Sequence, residues 1–189
     1  DSRSCESALL ALLCACARDS LLRESAIFNT PHHTVFSKET MENFIERKHP
    51  GRFSPKTLIS TAQNLNASWT KSGHLCGVKR KIRTPPQATA GVAAMALLLG
   101  LLSGARGMRL FETEYFRLLE CSLGASLDLA EEATHRGFMT LLRVQDVVEV
   151  HFHNLLNAQE KEWLRESFIT DIQHGKRSTR RRTRKGVVL

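Results

Sequence analysis

Apolar residues recur along this chain mostly at helical spacing, and capping residues, prolines and glycines separate the runs that carry them. Residues 4–17 are apolar nearly all round, which predicts a central, buried helix. Asp19 is placed to cap a second helix over 20–28, and Pro31 marks a loop over 29–34. Ser37 opens a helix to about Lys48, with Met41, Phe44 and Ile45 on one side, and Pro50 and Gly51 end it. Ser54-Pro55 is a capping residue followed by proline at the first helical position. From there Leu58, Ala62, Leu65 and Trp69 recur at i, i+4, i+7 and i+11, one buried stripe that stops at Gly73. Residues 74–78 and 79–83 then predict two short strands about a Gly turn, closed by Pro85-Pro86.

The second half repeats that order. Thr89 caps an apolar helix over 90–103, and Gly104 and Gly107 make a turn. Helices follow over 111–120 and 127–136, joined by a turn at 122–126 and closed by Gly137. Residues 138–142 and 147–152 are β-rich about a turn at 143–146. A last helix is expected over 158–171, with Trp163, Leu164, Phe168 and Ile169, and residues 176–185 contain no apolar side chain and are expected to be disordered alone. The predicted fold is mainly α with short β-hairpins: tandem winged-helix-like modules in a compact helical protein. Its parts are N-terminal helices (1–35), a first module (36–88), a second (89–157), a C-terminal helix (158–175) and a tail (176–189).

Composition agrees with helices, since only 6% of residues are aromatic and Leu and Ala supply most of the apolar mass. Charge changes the picture more. The net charge is +8, but it is segregated. Residues 1–46 carry a net of −3, residues 47–111 carry eleven bases and no acid, residues 112–175 carry a net of −7, and residues 176–189 carry seven bases and no acid. Basicity confined to one block and one tail points to a polyanionic partner.

On the helix opened by Ser54-Pro55, the face opposite the apolar stripe holds Lys56, Ser60, Gln63, Asn64 and Lys71, with Thr57 at its edge. These side chain types reach phosphates and base edges in a major groove. Lys79, Arg80, Lys81 and Arg83 of the following hairpin are expected to grip the adjacent backbone, and Arg180, Arg181 and Arg182 of the tail to bind phosphate without regard to sequence. The helix of the second module carries Asp128, Glu131 and Glu132, which repel a polyanion, so that module is expected to pack on the first or to bind protein.

No phosphate-binding glycine loop, nucleophile elbow or zinc-protease motif occurs, so the chain is expected not to be an enzyme. His151 and His153 share a strand face without a carboxylate motif beside them. Five cysteines in no framework spacing read as reduced thiols of a cytoplasmic protein, with no cofactor or metal expected. The apolar runs 8–17 and 92–103 are too short to span a bilayer. The first ends in Ala-Cys-Ala like a signal-peptide core, but Glu6 interrupts the basic flank and the chain starts at Asp1, so both runs are expected to be core helices.

Several stretches between Ser54 and Phe152 carry a family likeness: Ser54-Pro55-Lys56-Thr57, Trp69-Thr70-Lys71-Ser72-Gly73-His74-Leu75, Lys81-Ile82-Arg83-Thr84-Pro85-Pro86, the Leu-rich helix, Gly104-Ala105-Arg106-Gly107, Phe116-Arg117-Leu118-Leu119 and the β-rich end. Their pattern resembles the BrxA family of bacterial BREX phage-exclusion systems. The resemblance implies a small, helical, DNA-binding accessory protein acting beside larger defence proteins, which are candidate partners along with double-stranded DNA. It supplies no fixed residue list. Two other readings stand beside it: a protein-interaction scaffold using the acidic module, and an RNA-binding helical protein with an Arg-rich tail. No feature of the sequence sets an oligomeric state.

Overall fold

The computed structural model describes residues 2–145, 147–152 and 156–163. It is mainly helical, with two small antiparallel sheets. Helix α1 (Ser2–Cys16) buries Leu9, Leu12, Leu13 and Cys16. The single helix expected over 20–28 is instead two pieces, α2 (Ser20–Arg23) and a 3-10 turn (Ala26–Asn29). Asp19 caps α2 as expected, its carboxylate accepting from the Leu21 amide at 2.8 Å. Lys48 Nζ then donates to the Ser20 carbonyl at 3.0 Å and to the Glu24 carboxylate at 2.6 Å, and the chain leaves helical geometry there.

A two-residue strand that the sequence pattern does not announce, β1 (Val35–Phe36), comes next. It is followed by α3 (Lys38–Lys48) and α4 (Pro55–Lys71), which pack together across the turn at 49–54. The Ser37 and Ser54 hydroxyls cap them, accepting from the Thr40 amide at 3.2 Å and the Thr57 amide at 3.3 Å. The expected stripe on α4 is buried at Ala62, Leu65 and Trp69, with Leu58 half-buried at the entry and Asn66 added to it. Strands β2 (Leu75–Cys76) and β3 (Lys81–Arg83) form the expected hairpin, but they are shorter than expected. Lys79 and Arg80 lie in the connecting loop rather than in a strand. The sheet order is β1-β3-β2, antiparallel throughout, with Val35 opposite Ile82 and Leu75 opposite Arg83.

Helix α5 (Ala90–Leu102), capped by Thr89, is buried nearly all round, from Val92 through Leu98, against α1 and the elements that follow. Its small residues permit that contact. A Cβ on Gly100 would stand 3.0 Å from the Thr113 methyl group. The helix expected over 111–120 is a 3-10 turn (Gly107–Glu112) and a four-residue helix α6 (Glu114–Arg117). Thr113 is extended and caps α6, so no helix runs through it. Helix α7 (Leu123–His135) starts earlier than expected, because Ser122 is its cap and 123–126 form its first turn. Strands β4 (Thr140–Val144) and β5 (Val147–His151) pair from Thr140–His151 to Val144–Val147, so the first strand lies two residues later than expected and the turn is tighter. Residues 158–163 are helical, and the remainder of the expected C-terminal helix lies outside the described residues.

Buried apolar residues from Leu9 to Phe152 form one cluster, so both halves share a core. No helix among the described residues is long and apolar enough to cross a membrane.

Candidate nucleic-acid interface

Helix α4 presents Lys56, Thr57, Ser60, Gln63, Asn64 and Lys71 to solvent. The reason is the stripe on its other side: with Trp69 and Ala62 fixed in the core, positions 56, 60, 63, 64 and 71 must face outward. Pro55 at the first position and the Ser54 cap leave the first turn well formed, and the Thr57 hydroxyl hydrogen-bonds Ser54 Oγ at 2.9 Å. Lys56 and Lys71 make no ion pair with any described residue, so their charge is open to a partner.

The loop between β2 and β3 carries Val78, Lys79 and Arg80, all exposed, with Val78 at 91%. Its geometry depends on Gly77, which has φ +93°. A Cβ there would fall 2.2 Å from the Arg80 carbonyl oxygen. The Gly77 carbonyl also accepts from Lys81 Nζ at 2.8 Å, which folds the Lys81 side chain back along the loop and leaves it half-buried. Gly77→Ala is therefore expected to remodel the loop and to destabilise the protein by about 1 kcal/mol or more, measured by urea unfolding.

Arg83 overturns its expected role. The sequence groups it with Lys79, Arg80 and Lys81 as a phosphate grip, yet its side chain is 2% exposed. The guanidinium points inward. Nε donates to the Ile27 carbonyl at 3.2 Å, Nη1 donates to the His74 and Thr84 carbonyls at 3.3 and 2.6 Å, and Nη2 is ion-paired with Glu120. Burial lowers its pKa to about 10, which leaves it charged at neutral pH. Glu120 in turn holds His32 Nε2 at 2.7 Å through its second oxygen. Arg83 thus ties β3 to the N-terminal 3-10 turn and to the segment after α6. It is a structural cation that no phosphate reaches.

Beside it lies His74, fully buried against Trp69 with ring centroids 4.8 Å apart. Its Nε2–H donates to the Leu118 carbonyl at 2.8 Å, the tautomer that a carbonyl partner requires, so Nδ1 accepts from the Ser72 hydroxyl at 2.8 Å. Burial pushes its pKa down to about 3, with the Arg83 charge adding to the effect, so the ring is neutral in the folded protein. An unfolded histidine titrates near 6.5 and so binds a proton that the folded one refuses. The contribution is fully present above about pH 6.5 and is lost as pH falls toward 3, at up to about 1.4 kcal/mol per pH unit. His74→Gln, which keeps a donor for Leu118, is expected to flatten that part of the stability curve in denaturant titrations from pH 7 to 4.

The candidate residues Arg180, Arg181 and Arg182 lie outside the described residues. On α7, Asp128, Glu131 and Glu132 are exposed, and Arg136 is paired with Glu132 at 2.5 Å, so this helix presents an acidic face. Cys14, Cys16, Cys76 and Cys121 are free thiols, and burial raises the Cys16 pKa to about 12. Among the described residues no group of three or more His, Cys, Asp and Glu side chains is placed to hold a metal. The buried pair Arg83–Glu120 and the neutral His74 were not legible as such. Their only sequence signal is an arginine opposite Leu75 in a strand, whose inward face the hairpin pattern alone does not reveal.

No family model, curated protein or solved structure matches this chain.

Proposed function

We propose that the protein binds duplex DNA, with α4 in the major groove and the Gly77–Arg80 loop against the flanking backbone. The observation that carries this reading is the outward face of α4 and the following loop: exposed Lys56, Lys71, Lys79 and Arg80 without ion pairs among the described residues, interleaved with Ser60, Gln63 and Asn64, in a stretch with no acid from 47 to 111. Cations unbound to carboxylates are available to phosphates, and amides and hydroxyls between them are the groups that read base edges. The order β1, α3, turn, α4, β2, β3, with strand order β1-β3-β2, supports reading residues 36–88 as a winged-helix module. On the sequence resemblance, this contact would serve a phage-defence system as an accessory activity.

The test is fluorescence anisotropy of the full chain on a labelled duplex across a salt series. Each neutralised phosphate contributes about −0.9 to the slope of log K against log salt. Four exposed bases thus give a slope between about −3 and −4, to which tail arginines add. Substituting Arg180, Arg181 and Arg182 by Ala should lower the slope but leave most of it. A slope near zero after that change would overturn the role of α4 and its loop.

A second reading has its own observation. The outward face of the β4–β5 hairpin carries Leu142, Val144 and Val147, all exposed, at its tip. Exposed apolar side chains grouped beside an acidic helix favour a protein contact at this end. Co-purification that is lost in a Val144→Lys/Val147→Lys variant with unchanged DNA affinity would assign the two surfaces to different partners.

A further inference from the structure

A cavity of about 510 Å³ opens between the α2/3-10 segment and α6, away from the basic face of α4. Its volume lies in the range of small-molecule pockets. Its walls are polar and charged on both sides, and the charges are unevenly matched. Glu24 is held by Lys48 at 2.6 Å, and Glu114 by Arg23 at 3.4 Å. Arg117, on the α6 wall, is exposed and has no acidic partner among the described residues. One guanidinium is therefore left over. Phe28 supplies a half-buried aromatic wall, fixed edge-on against Trp69 with centroids 5.6 Å apart. Ser25, also in the wall, is buried, and its hydroxyl has no hydrogen-bond partner among the described residues.

We propose that this cavity binds a small organic anion, a carboxylate or phosphate monoester on an apolar body. Arg117 takes the anionic group and Phe28 packs on the body. A guanidinium presents two parallel N–H donors that match either oxyanion, and the fork binds them more strongly than a neutral donor does. The Arg23–Glu114 contact is long and part-exposed, so Arg23 can share its remaining donors with the same anion. The acids do not oppose it, because each is already neutralised by a cation. The site is independent of the DNA reading, since none of its residues lies on α4 or the Gly77–Arg80 loop.

The experiment is amide NMR of the full chain titrated with phenyl phosphate, benzoate, inorganic phosphate and benzyl alcohol. Saturable shifts at residues 23–29 and 114–118 are expected with phenyl phosphate and benzoate, at least tenfold weaker with inorganic phosphate and absent with benzyl alcohol. Arg117→Gln should raise both dissociation constants at least tenfold, while Arg136→Gln, an exposed arginine on another surface, should leave them unchanged. Phenyl phosphate and benzoate shifts confined to α4 and residues 77–80, or affinities unaffected by Arg117→Gln, would overturn the site. Equal binding of benzyl alcohol or of inorganic phosphate would overturn the assignment of the anionic group or of the apolar wall, respectively.

Discussion

Replacing Arg83 with Met lowers the unfolding free energy by about 3–5 kcal/mol, the cost of removing one partner from a buried ion pair. Three separate losses contribute. Glu120, only 12% exposed, loses the cation that offsets its desolvation and keeps only His32. The Ile27, His74 and Thr84 carbonyls lose their guanidinium donors in a buried setting. Strand β3 loses its tie to the segment after α6, where Glu120 itself sits at φ +51°, a left-handed conformation uncommon for a side chain of that kind. At this chain length a loss of that size lowers the melting temperature by on the order of 10 °C. The double variant Arg83→Met/Glu120→Gln should recover part of the loss, since it removes the stranded charge but does not restore the guanidinium hydrogen bonds. A single variant as stable as the parent would mean that the guanidinium is not buried in solution, and would return Arg83 to the phosphate-binding surface.

That residue also marks where the sequence stops being legible. Local signals were readable. Asp19, Ser37, Ser54 and Thr89 cap helices where the pattern puts them, and the Leu58-to-Trp69 stripe faces inward. Each depends on neighbours within a few positions, which spacing records. The structure departs from the pattern where contacts act over longer distances in the chain. The helix over 20–28 breaks at Glu24, whose carboxylate is held by Lys48, 24 residues further on. Strand β1 has two residues and exists because β3 pairs with it. Lys79, Arg80, Lys81 and Arg83 are alike in composition, but Glu120, 37 residues further on, draws one of them into the core. Thr113 and Ser122 both cap helices, yet helical spacing alone runs one helix through Thr113 and starts the other after Ser122. Helical spacing reports an amphipathic face without fixing where the backbone starts to turn. The expected exposure therefore holds where it follows from helix periodicity, on α4, and fails where it depends on strand pairing, at Arg83 on β3.

The exposed bases should behave in the opposite way to Arg83. Lys56→Ala/Lys79→Ala/Arg80→Ala is expected to leave stability nearly unchanged, because these side chains are exposed and make no ion pair among the described residues. On the proposed function, its effect falls on DNA binding. Losing three phosphate contacts lowers the salt slope by about 3 and weakens binding alike on all sequences, since phosphate contacts carry no base information. Asn64→Ala should show the complementary behaviour. Asparagine can donate and accept on adenine in the major groove, so its loss costs about 1–3 kcal/mol on preferred duplexes, changes the others little and leaves the slope nearly fixed. Arg83→Met, assayed where it is still folded, should match the parent in slope, because its charge already belongs to Glu120. These three patterns separate positioning, reading and structural support on one short stretch of chain. If the triple variant binds with the parent's affinity and slope, α4 and its loop are a solvated surface, and the acidic second half with the β4–β5 hairpin becomes the face to follow.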